Sequence, residues 1–274
     1  MVILTAVIMA SCGEKSKITD NDESEVESET LNFKKLTIST LSGTEENKEN
    51  DFKYHENENG NIVIDEYVGT STIMHIPCTI GGKEVEEIGN LPDNSDVQGI
   101  YINSNVKNIQ NNAFENWTGV QYVYYDTNQE ELVSIGDEAF LHCTSLEAFN
   151  LPNNIKGIGK KAFALCVSLK KVYGVNPSDG IVTDLFEGCT ALEEGDFGDK
   201  VKEICGNSFD KCKNLKSIYI PNSVTYIESI PKEISIYAQK GSYAEKYAKE
   251  NGNKCLEISG VEVSNLFNDI LLTK

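Results

Sequence analysis

Four cysteines raise the first chemical question. Cys143, Cys166, Cys189 and Cys212 follow one another at a step of 23 residues, and His142 precedes the first of them. A cysteine beside a histidine is the pairing that a thiolate nucleophile and its base require. An even total of eight cysteines also invites a disulfide framework or a metal site. The spacing speaks against these reactive readings. No C-x-x-C occurs, and the three histidines are scattered, so the usual zinc arrangement is missing. Apolar columns with the same period flank the cysteines, which places the thiols in a packed interior where cysteine behaves as a small hydrophobe. Bridges between adjacent repeats are the alternative. His142 then reads as a surface residue.

Other reactive signatures are missing too. The chain has no G-x-S-x-G, no H-E-x-x-H, no Walker loop and no G-x-G-x-x-G, so the sequence predicts no enzyme, no cofactor and no metal. Asn116-Trp117-Thr118 matches a glycosylation sequon and is read as accidental beside the N-terminal leader described below. A net charge of -19 argues against nucleic acid, because phosphate neutralisation needs clustered Lys and Arg. Binding chemistry remains, and it centres on tyrosine. Tyr101, Tyr124, Tyr173 and Tyr219 recur at related positions, interspersed with His75, Asn150 and Asp196. A phenol offers a large rigid contact area and a hydroxyl at low entropic cost.

The elements that must position these residues are repeats. Phe140, Phe163, Phe186 and Phe209 keep the 23-residue step of the cysteines, as do Leu146, Leu169, Leu192 and Leu215. Self-similarity at such a period marks a solenoid of stacked coils. Each coil carries a short segment of the form L-x-x-φ-x-φ, where φ is apolar, for example Leu146 to Leu151 and Leu215 to Ile220. The alternation predicts a strand with one buried face. The remainder of the coil, such as Ile158 to Phe163, is predicted to return as a turn or short helical piece. The residue between the two φ positions then points outward, giving the column His75, Tyr101, Tyr124, Asn150, Tyr173, Asp196, Tyr219 and, in a last short coil, Ser235. Glu147, Lys170, Glu193 and Lys216 form a second row of alternating sign, read as a cross-strand charge ladder.

The flanks differ in composition. Residues 1–12, MVILTAVIMASC, are too short to span a bilayer as a helix and read as a signal region. Met9-Ala10-Ser11-Cys12 resembles a bacterial lipobox, which implies acylation at Cys12, although no Lys or Arg precedes the apolar run. Residues 13–50 form an acidic tether, with Thr19 to Thr30 nearly devoid of apolar side chains. Asn59-Gly60 between Phe52-Lys53-Tyr54 and Ile62-Val63-Ile64 predicts a hairpin with a type I′ turn. Residues 259–274 are a tail in which Leu266, Phe267, Ile270 and Leu271 share one helical stripe.

The full pattern I-G-x-x-A-F-x-x-C-x-x-L-x-x-φ-x-φ-P-x-x-φ, seen at Ile135-Gly136, Ala139-Phe140, Cys143, Leu146, Leu151-Pro152 and Ile155, resembles the BspA-type leucine-rich repeat. The resemblance covers about residues 52–258, including Gly241 to Ala248, which looks like a C-terminal helical cap. Three positions depart from it: Val182 and Cys205 stand where the repeat has Gly, and Gly195 replaces an apolar strand residue. The resemblance implies an α/β repeat solenoid over residues 51–258, with a parallel sheet on one face, an N-terminal β-hairpin cap and a C-terminal helical cap. It also implies a bacterial surface protein, which the lipobox-like start would hold at the membrane only through a lipid anchor. Such a protein would bind a protein or glycan on a host or neighbouring cell, as an adhesin or interaction module. Glycan capture for nutrient uptake and an accessory or structural envelope role are the alternatives.

Overall fold

The computed structural model describes residues 47–125, 132–151 and 155–258. Alternation within each L-x-x-φ-x-φ segment produces strands with one buried face. In Tyr122–Tyr125 the side chains alternate between half-buried and buried, with Val123 and Tyr125 inside. The first strands are β1 (Phe52–Glu56), β2 (Ile62–Tyr67), β3 (Ile73–His75), β4 (Thr79–Ile80) and β5 (Lys83–Ile88). Successive coils then add β6 (Gly99–Ile102), β7 (Asn108–Ile109), β8 (Tyr122–Tyr125), β9 (Ser134–Ile135), β10 (Ala148–Asn150), β11 (Gly157–Ile158) and β12 (Lys171–Val175). The series ends with β13 (Ile181–Thr183), β14 (Glu194–Phe197), β15 (Glu203–Cys205), β16 (Ser217–Tyr219), β17 (Tyr226–Ile227), β18 (Ser235–Gln239), helix α1 (Tyr243–Asn251) and β19 (Cys255–Ile258).

Nine of these strands pair in the order β19-β18-β16-β14-β12-β10-β8-β6-β3, all parallel. This is the predicted sheet. A second ladder was not foreseen. It runs β5-β7-β9-β11 and resumes as β13-β15-β17, aligning Ile88, Ile109 and Ile135, then Val182, Ile204 and Ile227, on the inner side. A two-residue strand is too short to show alternation, so these pairings become visible only when the coils stack.

Among the described residues, the returning segments between β6 and β17 are runs of turns without a helix. Leu141 N–H donates to Glu138 O and Cys143 N–H to Phe140 O, but Glu138 and His142 have positive φ (59° and 62°), which stops a helix from propagating. Lys161 and Leu165 repeat this one coil later. The amides so freed bond the next coil: Phe140 to Ala162 O at 2.8 Å, Phe163 to Leu185 O at 3.2 Å and Phe186 to Ser208 O at 3.0 Å. The glycine of the Ile-Gly motif permits this approach. A Cβ on Gly159 would lie 2.3 Å from Asp137 N, and one on Gly136 would lie 2.5 Å from Asn111 N.

Phenylalanine and cysteine fill the interior as expected. Phe114, Phe140, Phe163, Phe186 and Phe209 form one stack with successive ring centroids 5.1, 5.3, 6.1 and 6.2 Å apart. Removing one such buried ring typically costs about 3–5 kcal/mol. Cys143, Cys166, Cys189 and Cys212 are buried free thiols. Each also donates to a carbonyl of the preceding coil: Cys143 to Phe114 O (3.2 Å), Cys166 to Phe140 O (3.2 Å), Cys189 to Phe163 O (3.0 Å) and Cys212 to Phe186 O (3.1 Å). The column therefore joins a donor to an apolar body. Trp117 takes the preceding place, with its indole N–H donating to Pro92 O at 3.1 Å.

Two details correct the sequence reading. Val182 does not occupy the glycine position. It pairs with Ile204 in the buried apolar column, while Thr183 pairs with Cys205. The cause is a bulge in β12: Val172 pairs with Gly195 but Val175 with Phe197, so the coil carries one extra residue into its second strand. At the N-terminal end, the hairpin β1–β2 forms, but Gly60 (φ 79°) has positive φ and Asn59 does not, so its turn is not type I′. Asn57 organises the loop instead, its Oδ1 accepting from Asn59 N and Asn61 N, both at 3.0 Å.

Glu86 joins that loop to the coils. Its carboxylate accepts from Asn57 Nδ2 (2.8 Å), Asn61 Nδ2 (3.0 Å) and Lys107 Nζ (2.9 Å). At the other end, Ser242 caps α1 by accepting from Glu245 N (3.1 Å), and Gly252 terminates it in the left-handed conformation (φ 83°). Ala244, Tyr247 and Ala248 bury its inner side, and Tyr247 Oη accepts from Ile230 N at 2.9 Å.

Candidate binding face

The outward column is assembled by strand register. On parallel strands in register, equivalent residues stand side by side about 4.8 Å apart. His75 pairs with Tyr101, and Tyr101 with Tyr124. Asn150 pairs with Tyr173, and Asp196 with Tyr219. The backbone thus sets His75, Tyr101 and Tyr124 side by side, then Asn150 with Tyr173, then Asp196 with Tyr219, and the β12–β14 pairing shifts register between Val172 and Val175. The side chains of Asn150, Tyr173 and Asp196 lie outside the described set.

At the N-terminal end the rings are stacked. His75 lies 4.1 Å from Tyr101, tilted by 41°, and Tyr101 lies 5.0 Å from Tyr124 at 29°. Both faces of Tyr101 are therefore occupied by neighbouring rings, and the residue is only 6% exposed. Tyr219 is 9% exposed, and burial, with a smaller contribution from the Asp199 charge, pushes its phenol pKa up. His75 and Tyr124 are half-buried. These outward rings form a packed layer and not an open row.

Register also replaces one member and adds another. Ser235 does not stand in the column; it pairs with Ser217, two residues before Tyr219. The residue beside Tyr219 is Tyr237, and beside Tyr237 is Leu256. The signal was present but doubled: Ile236-Tyr237-Ala238 repeats the φ-x-φ of Ile218-Tyr219-Ile220, and Ile234-Ser235-Ile236 offers the same pattern two residues earlier, so local alternation does not decide between them. Tyr122, on the same outward side of β8 as Tyr124, was likewise not predicted. In the charged row, Lys170 approaches Glu147 to 3.8 Å, a surface contact worth under about 1 kcal/mol.

The cysteine–histidine pairing does not form a reactive centre. His142 is exposed and bonds Asn116 Oδ1 at 3.0 Å, while the buried Cys143 thiol donates to Phe114 O. Burial pushes the Cys143, Cys166 and Cys189 thiol pKa values well above the ordinary range, and that of Cys212 to about 12. A thiolate is strongly disfavoured in such surroundings. Among the described residues, no group of His, Cys, Asp and Glu could hold a metal ion, and no helix is long and apolar enough to cross a membrane. Cys12, the tether up to residue 46 and the tail 259–274 lie outside the described residues.

The repeat that builds these coils matches a known one. The family model for the BspA type leucine rich repeat region matches in six copies, over residues 90–173 and 124–230. The chain belongs to the BspA-type leucine-rich repeat family. Among solved structures, this BspA-type chain is similar to the T. pallidum leucine-rich repeat protein, with 20% identity and a TM-score of 0.57 over 77% of this chain and 98% of that one. It is also similar to a leucine-rich cell surface protein from Faecalibacterium prausnitzii A2-165, with 25% identity and a TM-score of 0.56 over 71% of this chain. The match spans 54% of that protein's length. No curated protein matches the sequence.

Proposed function

We propose that this BspA-type chain is a surface-anchored interaction module whose nine-stranded sheet face recognises a protein on a host or neighbouring cell. One observation carries the reading: His75, Tyr101 and Tyr124 project from adjacent strands and stack into a rigid layer, with centroid spacings of 4.1 and 5.0 Å. Pre-ordered aromatic side chains lose little entropy on binding. Extended sheet faces of solenoids serve as partner surfaces. The description of the Faecalibacterium relative as a cell surface protein supports the location, as does the lipobox-like Met9-Ala10-Ser11-Cys12. In this reading Cys12 is acylated, the acidic tether holds the solenoid off the membrane, and the β1–β2 hairpin and α1 shield the two ends of the core.

The stack favours protein over glycan. A sugar ring docks on an open aromatic face, and Tyr101 has none left; ring edges and hydroxyls suit main-chain and side-chain groups of a polypeptide. The test is parallel screening of the labelled chain on arrays of extracellular proteins and of glycans. Protein hits lost on Tyr124→Ser with Tyr219→Ser, with the circular dichroism spectrum unchanged, are expected. Hits confined to glycans, or protein binding indifferent to both substitutions, would overturn the assignment.

A further inference from the structure

The dipeptide Asn-Gly occurs twice in the chain, at Asn59-Gly60 and Asn251-Gly252. Glycine after asparagine favours spontaneous loss of ammonia, because an amide nitrogen with no Cβ beside it can reach the preceding carboxamide. The fold sets the two pairs in different surroundings. We infer that Asn59 is a site of spontaneous modification, that Asn251 is protected, and that conversion at Asn59 loosens the N-terminal hairpin from the coils. In the reaction Gly60 N bonds to Asn59 Cγ, the Cγ–Nδ2 bond breaks, and the amide proton leaves with the nitrogen as ammonia. Water, the one co-reactant, then opens the cyclic succinimide at either carbonyl to give aspartate or isoaspartate.

Asn251 ends α1. Its Nδ2 donates to Tyr247 O at 3.0 Å, and Gly252 N–H donates to Ala248 O at 3.0 Å. Both reacting groups are thus tied to the preceding helical turn, where a helical ψ keeps Gly252 N away from Asn251 Cγ. Burial of Ala244, Tyr247 and Ala248 anchors that turn. Asn59 is exposed in the loop between β1 and β2, and its carboxamide makes no hydrogen bond among the described residues. Gly60 N–H makes a single turn bond, to Asn57 O at 2.9 Å. An exposed turn of this kind opens at little cost in free energy. The position also matters for the cap. Asn57 Oδ1 holds both Asn59 N and Asn61 N, and Asn57 Nδ2 holds Glu86 on the coil side. An isoaspartyl linkage routes the main chain through Asn59 Cβ and Cγ, adding one atom between those two amides. Asn57 then cannot hold both, and the loop slackens where it meets Glu86.

The experiment incubates the full chain in mildly alkaline buffer, folded and in urea, and follows both dipeptides by peptide mass spectrometry. In the folded chain Asn59 should convert about tenfold or more faster than Asn251, and in urea the two rates should converge. Chains converted at Asn59, separated by their extra negative charge, should unfold at lower urea than fresh ones, and Asn59→Ser chains kept for the same time should not weaken. Equal rates in the folded chain, a faster Asn251, or the same ratio in urea as in the folded chain would overturn the assignment of the site. Converted chains as stable as fresh ones, or a weakening that Asn59→Ser does not prevent, would overturn the coupling of the loop to the coils and leave the site standing.

Discussion

Two glycines one coil apart should respond oppositely to the same substitution. In Gly159→Ala the new Cβ would sit 2.3 Å from Asp137 N and 2.3 Å from Gly136 C, both backbone atoms of the neighbouring coil that cannot rotate away. The coils must separate by about 1 Å to restore ordinary contact, and the bonds from Gly159 N to Ile135 O (2.8 Å) and from Lys160 N to Asp137 Oδ1 (2.7 Å) lengthen with them. Overpacking typically costs about 1–3 kcal/mol and each lost hydrogen bond about 1 kcal/mol, so a loss of about 3–5 kcal/mol is expected. In Gly195→Ala the nearest atom to the new Cβ is Val172 O at 3.9 Å, an ordinary contact. Gly195 lies within a strand with no positive φ, so alanine should be neutral or stabilise by up to about 1 kcal/mol through reduced freedom of the unfolded chain. Urea unfolding followed by circular dichroism compares the midpoints, and constant slopes check that the transition stays comparable. If Gly159→Ala costs less than about 1 kcal/mol, or Gly195→Ala costs as much as Gly159→Ala, close coil approach through the Ile-Gly motif is not what holds the stack together.

Phe163→Ala should destabilise by about 3–5 kcal/mol, since the ring stacks on Phe140 and Phe186 and touches Phe149, and calorimetry measures the loss. Maleimide labelling of the folded chain, read by peptide mass spectrometry, should reach the half-buried Cys205 and Cys255 well before Cys143, Cys166 and Cys189; equal rates would contradict the buried thiol column. The Glu86 carboxyl is held at about 2, below its ordinary 4.5, first by the Asn61 hydrogen bond and then by Lys107 and Asn57. A depressed carboxylate stabilises the fold above pH 4.5 and loses that contribution as pH falls toward 2, so Glu86→Gln should flatten the acid limb of stability by about 2–3 kcal/mol. An acid unfolding profile unchanged by the substitution would refute the linkage.

By itself the sequence determined the coil, its inner columns and the C-terminal helix. A 23-residue period repeats the same burial at Phe140, Phe163, Phe186 and Phe209, and at the cysteines beside them, so periodicity and polarity suffice to place them inside. The C-terminal helix was legible through the resemblance of Gly241 to Ala248 to the helical cap of the repeat family. Tertiary structure alone decided whatever depends on register between coils of unequal length. The β12 bulge moved Val182 into the apolar column, and a short last coil set Tyr237, in place of Ser235, beside Tyr219. The two-residue strands of the second ladder, and the thiols donating to carbonyls of the preceding coil, likewise arise from contacts between segments more than twenty residues apart. Local pattern encodes which face of a segment is apolar; which neighbour that face meets is set by inter-strand hydrogen bonding, and one inserted residue is enough to shift it.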